Sequence, residues 1–413
     1  MYLAFLALSL GQIIAVVALF VLGFLIATRR KQLSLIGRQT CEDAHQLGLA
    51  AMERNDLAAA EKHLYEAYDK ASSLRENREA PLSLSVLYLA KCHYKAKRYD
   101  DAERFAGEAS VLLEDHANPH TQRLPEALEI LSEICLQRGD VEMAEQHLHK
   151  AAEFTRQRFG AKSPEMARRL TDIADFLGRT DRDADAITYY QQAIEIHDKS
   201  ADRNQQITLA PLLLRLGVGL TRAGRHRDAS PALRRGLTWV ERFHGPDSAE
   251  SAPFLDALAV SESFAGNYHA VADLLHRAVQ LRQQKFGPEH PEVAASLAQW
   301  ADSLRKLRRY DEALEAAGRA LHIQERVEDP ERYGTLEILA HIKYECGEHV
   351  HADEYFRNAL VTLRQAVGEQ SLEVAEYLEK HAMIKKRLGE TDAAQAMNDR
   401  AEEIRRNWAE IHA

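Results

Sequence analysis

Histidine is the residue type here that could most readily bind a metal, and two short stretches bring two histidines close together. The stretches are HLH at 147–149 and HVH at 349–351, within a total of 19 histidines. On a helix, residues i and i+2 point about 200° apart, so the two rings of one stretch cannot share an ion. The zinc motif HExxH is also absent. We therefore expect these histidines to lie on solvated helix surface, and we predict no metal site and no cofactor.

The usual catalytic signatures are missing as well. The sequence contains no GxxxxGK[ST], no GxGxxG after a strand and no GxSxG. Acidic pairs are frequent, but charged residues make up 28% of the chain. At that density such pairs are typical of solvated helix faces with partners at i+4. We predict that the chain is not an enzyme and has no small-molecule substrate.

The overall charge narrows the class of partner. The formal net charge is −10, which disfavours nucleic-acid binding, because that binding depends on neutralising phosphates with basic residues. We therefore expect the partners to be other proteins.

Small residues recur along most of the chain with a fixed spacing. In one copy they are Ala301, Ala313 and Ala320, which are 12 and 7 residues apart. Nine segments share this pattern, and their middle small positions are 60, 102, 144, 186, 229, 271, 313, 352 and 394. Two antiparallel helices in close contact need small side chains where their backbones approach, with large neighbours beside them. The pattern predicts nine helix–turn–helix units.

This small-and-large signature resembles the tetratricopeptide repeat over about residues 40–405. The period of 42 and entries such as GPEHPEVA and GEQSLEVA are similar to the longer repeats of kinesin light chain. The resemblance implies an all-α fold, a right-handed superhelical solenoid of about nine repeats. It also implies a concave groove, lined mainly by the first helix of each repeat (helix A), that binds extended or helical segments of other proteins.

The first residues have a different character. The stretch 2–27 contains no charge and would reach about 39 Å as a helix, more than the ~30 Å hydrocarbon core. We predict a transmembrane signal-anchor helix at 1–28, followed by a basic juxtamembrane segment at 29–40. A cleaved signal peptide is the alternative, but it usually has a basic start and a shorter apolar run.

The basic residues after this stretch predict its orientation. Arg29, Arg30, Lys31 and Arg38 follow the apolar run, so the positive-inside rule places the repeats in the cytoplasm. We therefore predict a single-pass membrane protein. A periplasmic or lumenal repeat domain is the alternative if the topology is inverted.

The fifth repeat departs from the pattern. The join before it is long, and Ser230 and Pro231 fall inside the expected first turns of its second helix (helix B). Either that helix begins late, with Ser230 as its N-cap, or it kinks; a tolerated local variation is the third possibility. We predict a division into repeats 1–4 at 41–199 and repeats 5–9 with a C-terminal capping helix at 200–405, followed by a tail at 406–413.

Groove-facing positions of helix A carry a recurring basic element, with an aromatic and an acidic residue beside it. The candidate partner-binding residues are Lys91, Tyr94, Lys95, Arg179, Arg222, Asp302, Arg305 and Lys306. On an acidic protein these cations could select an acidic segment of a partner. The alternative is that they are solvated charges.

Taken together, these features predict a membrane-anchored scaffold or adaptor that binds partner proteins through its groove at the cytosolic membrane face. A structural or assembly subunit of a membrane complex, with permanent interfaces, is the first alternative. A periplasmic or lumenal repeat protein is the second.

Overall fold

The computed structural model describes residues 39–74, 78–115, 117–199 and 208–412. These residues form eighteen α-helices, two short 3₁₀ turns and no strand. The predicted all-α array of helix pairs is thereby confirmed. The chain divides into two compact units, Met1–Arg182 and Asp183–Ala413, and the two helices of the fourth repeat fall one in each.

In the first unit the described helices run in pairs of A and B. They are α1 (39–53), α2 (Leu57–Ser73), α3 (Glu79–Lys95), α4 (Tyr99–Glu114), α5 (Leu124–Gln137), α6 (Val141–Phe159) and α7 (Pro164–Arg179). In the second unit they are α8 (Asp183–Asp198), α9 (Leu209–Arg222), α10 (His226–His244), α11 (Ala252–Phe264), α12 (Tyr268–Phe286), α13 (Pro291–Lys306), α14 (Tyr310–Arg326), α15 (Arg332–Glu345), α16 (His349–Val367), α17 (Leu372–Arg387) and α18 (Thr391–His412). Helices pack chiefly on their sequence neighbours.

The small residues that define the repeats lie where the helices meet. All nine middle positions are buried, from Ala60 to Ala394. In the fifth repeat a Cβ on Gly217 would come within 2.3 Å of the Leu233 side chain, and in the first repeat Gly48 meets Leu64 in the same way. Leu64 and Leu233 are the large residues four places after the middle small position. The steric reason given for the pattern is therefore confirmed.

The turn between helices A and B is the same in every repeat. Each contains one residue in the left-handed region, with φ between 58° and 83°. These residues are Asn55, Lys97, Gly139, Asp181, Gly224, Gly266, Arg308, Gly347 and Gly389. The residue after each one can close the turn, as when Arg309 N donates to Leu304 O at 2.9 Å. At five of these positions the residue is glycine, which adopts the left-handed conformation without the steric cost of a Cβ.

Helix B of the fifth repeat does not begin late. Helix α10 begins at His226, and Pro231 lies inside it. Ser230 is therefore not its N-cap, and its hydroxyl lies 3.0 Å from that of Ser261 on α11. The predicted boundary at residue 200 and the join at 200–207 lie outside the described residues.

The predicted membrane anchor requires a correction. Residues 1–28, and the juxtamembrane segment up to 38, lie outside the described residues. Among the helices that are described, none is both long and apolar enough to cross a membrane. Even α18, the longest of the described helices, carries charged residues in nearly every turn. The single-pass membrane localisation is contradicted by this finding.

Candidate functional site

A cleft of about 570 Å³ opens within the second unit, on the A helices of repeats six, seven and eight. Its walls come from α11, α13 and α15, with further residues from the B helices α12 and α14. Its lining includes Ala259, Val260, Val271, Leu275, Asp302, Arg305, Lys306, Gln324, Asp329, Glu331, Gly334, Glu337 and His341. Three of the eight residues predicted from the sequence, Asp302, Arg305 and Lys306, are thus brought together in one place.

The floor of the cleft is apolar. Ala259, Val271 and Leu275 line it and are 2 to 5% exposed. Beside them Val260 is 44% exposed, although it is a large apolar side chain. Gly334 lies on the α15 wall, and a Cβ added there would meet nothing within 4 Å. The cleft therefore offers apolar contact area and free volume beside it.

The basic side of the cleft is held by a shared carboxylate. Arg305 donates to Asp302 Oδ1 at 2.8 Å and also pairs with Glu345 of the next repeat, while Lys306 Nζ lies 2.8 Å from Asp302 Oδ2. Burial would raise the pKa of Asp302, but the hydrogen bonds and charges of Lys306 and Arg305 outweigh it and lower that pKa. Both cations are therefore already neutralised by the protein.

A second polar group stands on the opposite wall. Glu337 accepts a hydrogen bond from Lys380 at 2.7 Å and lies 3.4 Å from His341 Nε2. Burial alone would raise the pKa of Glu337, but the hydrogen bonds from His341 and Lys380 reverse this and lower it. Glu337 thus remains ionised and fixed in place.

The other predicted residues lie elsewhere, and most of them are also paired. In the first unit Lys91 pairs with Glu126, Tyr94 OH donates to Glu133 at 3.4 Å, and Arg179 makes two hydrogen bonds to Glu133. In the second unit Arg222 Nε lies 3.3 Å from Asp183. Lys95 is exposed.

These pairs share one arrangement, because the partner acid usually stands on helix A of an adjacent repeat. Lys91, Arg179 and Arg305 all follow it. A one-dimensional reading of groove positions counts the cations but does not show which acids face them. The charges of Lys91, Arg179 and Arg305 are therefore each balanced by an acid within the protein.

Gln324 and Gly334 are among the cleft residues that the sequence did not indicate. Gln324 belongs to helix B of repeat seven, and the prediction considered only helix A positions. Gly334 lies near the start of α15, six residues before the small position at Ala340, outside the positions that were considered. Two sequence features could have indicated them. Gln324 is an amide on an otherwise apolar face of helix B, and Gly334 is a glycine within a helix.

The histidine stretches do not form a metal site in the described structure. His149 lies 3.6 Å from Glu145 in the same helix, and His351 lies 3.0 Å from Glu348, the N-cap of its helix. Among residues 39–74, 78–115, 117–199 and 208–412, no three His, Cys, Asp or Glu side chains are grouped so that they could hold an ion.

Comparison with known families matches two parts of the chain. Residues 123–199 and 257–326 match the family model described as tetratricopeptide repeat. The likeness to the tetratricopeptide repeat is thereby shown for these two segments. The matched segments are repeats three and four, and repeats six and seven, which supply most of the cleft. The sequence matches no curated protein.

Solved structures agree with the repeat fold. The apo form of RapI has a TM-score of 0.68 at 11% identity and covers 91% of this chain and 99% of its own. The apo quorum sensor NprR from B. thuringiensis has a TM-score of 0.59 at 12% identity, covering 88% and 98%. A putative kinesin light chain from Podosopora anserina has a TM-score of 0.44 at 17% identity, covering 51% and 98%. At such identities the likeness concerns the fold alone, and the kinesin-light-chain type stays a prediction.

Proposed function

We propose that this chain is an interaction scaffold that binds a segment of another protein in the cleft of repeats six to eight. The observation that carries the proposal is the cleft itself, which joins an apolar floor to a rim of fixed charges. Binding sites typically combine these two properties, because apolar contacts supply affinity and a few placed polar groups supply orientation. No catalytic role is assigned to any residue.

The charged side chains at the rim of the cleft are fixed in position by ion pairs. Arg305 and Lys306 are both tied to Asp302, and Glu337 is tied to Lys380 and His341. Side chains that are already ordered lose little conformational entropy when a partner binds. The peptide backbone would then meet donors and acceptors at fixed positions, while its side chains enter between Val260 and Gly334.

The acidic partner expected from the sequence is not part of this proposal. Lys91, Arg179 and Arg305 each have an acidic partner, so an incoming carboxylate would have to displace one. The partner-binding roles of Lys95 and Tyr94 in the first unit and of Arg222 in the second stay predictions.

A larger side chain at Gly334 should occupy part of the cleft and leave the fold intact. Because a Cβ at Gly334 meets nothing within 4 Å, Gly334→Leu should fill free volume. Gly318 on α14 is the matched control, since it is also helical, also free of neighbours within 4 Å and exposed, and it does not line the cleft. Both variants should unfold at or above the wild-type temperature, because glycine weakens helices.

The test begins by selecting heptapeptides from a displayed random library on the purified full chain. Affinities of the isolates are then measured by fluorescence polarisation. We expect Gly334→Leu to weaken binding at least ten-fold and Gly318→Leu to leave it unchanged. Equal binding to both variants, or no binding isolate, would refute the cleft as a peptide site.

A permanent structural subunit is the alternative function. It predicts an interface that is not competed by a short peptide. A partner that co-purifies at fixed stoichiometry and is unaffected by saturating cleft peptide and by Gly334→Leu would favour that alternative.

A further inference from the structure

The end of the cleft formed by Gln324 and Asp329 has an unused hydrogen-bond acceptor. Gln324 is only 6% exposed and lines the cleft. Its Nε2 donates to Asp329 Oδ2 at 3.2 Å. Its Oε1 is buried and has no hydrogen-bond partner among the described residues. A buried acceptor without a partner is unfavourable, so it marks a position where a donor is missing.

The orientation of this amide is determined by its neighbour. A carboxylate can only accept hydrogen bonds, so the amide nitrogen must face Asp329 and the oxygen must face away from it. Reversing the amide would place two acceptors against each other. The unpaired atom is therefore the oxygen, and the missing group is a donor.

The carboxylates around this end form no ion pair among the described residues. Asp329 Oδ1 accepts from Glu331 N at 2.8 Å, and Arg332 donates to the backbone oxygen of Asp329 rather than to its carboxylate. Glu331 lines the cleft and forms no ion pair with any residue in the described ranges. The cations of the cleft, Arg305 and Lys306, are held by Asp302. This end therefore presents an amide oxygen and carboxylates that have no ion-pair partner among the described residues, while the nearby Arg332 is bound to a backbone oxygen.

We propose that the Gln324–Asp329 end of the cleft binds a basic side chain, lysine or arginine, of the bound protein segment. The proposal rests on the proposed function and specifies its partner as a segment with a cationic residue. An ammonium or guanidinium group carries several N–H donors and can serve the Gln324 oxygen and a carboxylate together. Lysine and arginine share this chemistry, and the experiment separates them.

The test uses the heptapeptides whose binding to the full chain is reduced by Gly334→Leu. We expect these peptides to share a lysine or arginine at one position. Synthetic versions with that residue changed to methionine should bind at least ten-fold more weakly, and exchange of lysine for arginine ranks the two. Asp329→Asn and Gln324→Leu should each weaken the wild-type peptide about ten-fold and the methionine peptide by less than two-fold.

A matched charge change outside the cleft controls for the protein's net charge. Asp311 lies exposed in the first turn of α14 and does not line the cleft, so Asp311→Asn should leave both affinities unchanged. Asp329→Asn keeps the shape of the residue and serves if Gln324→Leu unfolds. Peptides that bind the cleft without a shared basic residue would overturn this inference and leave the proposed function standing. An absence of any peptide sensitive to Gly334→Leu would overturn both.

Discussion

Arg179 on α7 faces Glu133 on α5 with both arms of its guanidinium, at 2.5 Å from Nη1 to Oε1 and 2.9 Å from Nη2 to Oε2. This hydrogen bonding raises the pKa of Arg179, so its guanidinium stays charged. A residue that looked like a free groove cation is thus the partner of an acid from the neighbouring repeat.

The Arg179–Glu133 pair should contribute little to stability. The two side chains are 44% and 37% exposed, and exposed pairs are typically worth less than about 1 kcal/mol because water and salt screen them. We expect a double-mutant cycle of Arg179→Ala and Glu133→Gln, measured by urea unfolding, to give a coupling below that value. It should vanish in 1 M salt. A salt-insensitive coupling of several kcal/mol would contradict this.

Gly236 should tolerate no side chain. A Cβ there would lie 2.3 Å from Phe254 Cε1 and 3.2 Å from Leu213 Cβ. Overpacking of this kind costs about 1–3 kcal/mol, so Gly236→Ala should lower the free energy of unfolding by that amount. Gly107, also helical, has nothing within 4 Å of its Cβ, and Gly107→Ala should instead stabilise by up to about 1 kcal/mol. Adding Phe254→Leu to Gly236→Ala should restore part of the loss; no rescue would mean that Phe254 is not the cause.

Replacing Arg308 with glycine should stabilise the protein. It adopts φ 62° in the turn of repeat seven, where five other repeats have glycine. Left-handed backbone costs a non-glycine residue about 1 kcal/mol or more, so Arg308→Gly should raise the free energy of unfolding by up to about 1 kcal/mol. Arg308→Ala removes the same side chain but keeps the Cβ, and it should give no gain. Equal effects of the two changes would assign the result to lost charge.

Among the charged residues of the eighth and ninth repeats, Asp353 on α16 should be the one whose substitution lowers stability most. It is 5% exposed and accepts from His381 at 2.7 Å, from Lys385 at 3.0 Å and from Arg357 at 2.6 Å. Removing one partner of a buried charge cluster costs about 3–5 kcal/mol. We expect Asp353→Asn to destabilise by about 3 kcal/mol in urea unfolding. Glu354→Gln, an exposed neighbour, should change stability by less than about 0.5 kcal/mol.

The Asp353 contribution should also depend on pH. Burial would raise its pKa, but the hydrogen bonds from Lys385, His381 and Arg357 outweigh burial and lower the pKa from 3.8 to about 2. A lowered folded-state pKa means that the stabilisation is complete above pH 3.8 and is lost as the pH falls towards 2. The difference between wild type and Asp353→Asn should therefore shrink by about 1 kcal/mol between pH 7 and pH 3. A constant difference would show that Asp353 is not ionised differently in the two states.

Most of the fold could be predicted because the same packing requirement recurs in every repeat at a fixed spacing. Ala60, Ala102 and Ala144 recur at the same interval, and the same steric demand acts at each. The left-handed turn residues can be recognised in the sequence most readily where they are glycine, since Lys97 and Arg308 adopt the same conformation against their own preference. Helix α10 runs through Pro231 because packing in the array outweighs one lost hydrogen bond.

The sequence by itself determined the helix pairs, their register and the three groove residues Asp302, Arg305 and Lys306 that meet in the cleft. These follow from local spacing, which a helix converts directly into a shared face. Only the tertiary structure decided that Arg179 and Arg305 are neutralised by acids of neighbouring repeats, and that Gln324 has an unpaired oxygen. The two ion pairs join residues 40 or 46 positions apart, and Gln324 lies on helix B rather than helix A. The spacing of residues along the sequence does not show which charged groups will face each other.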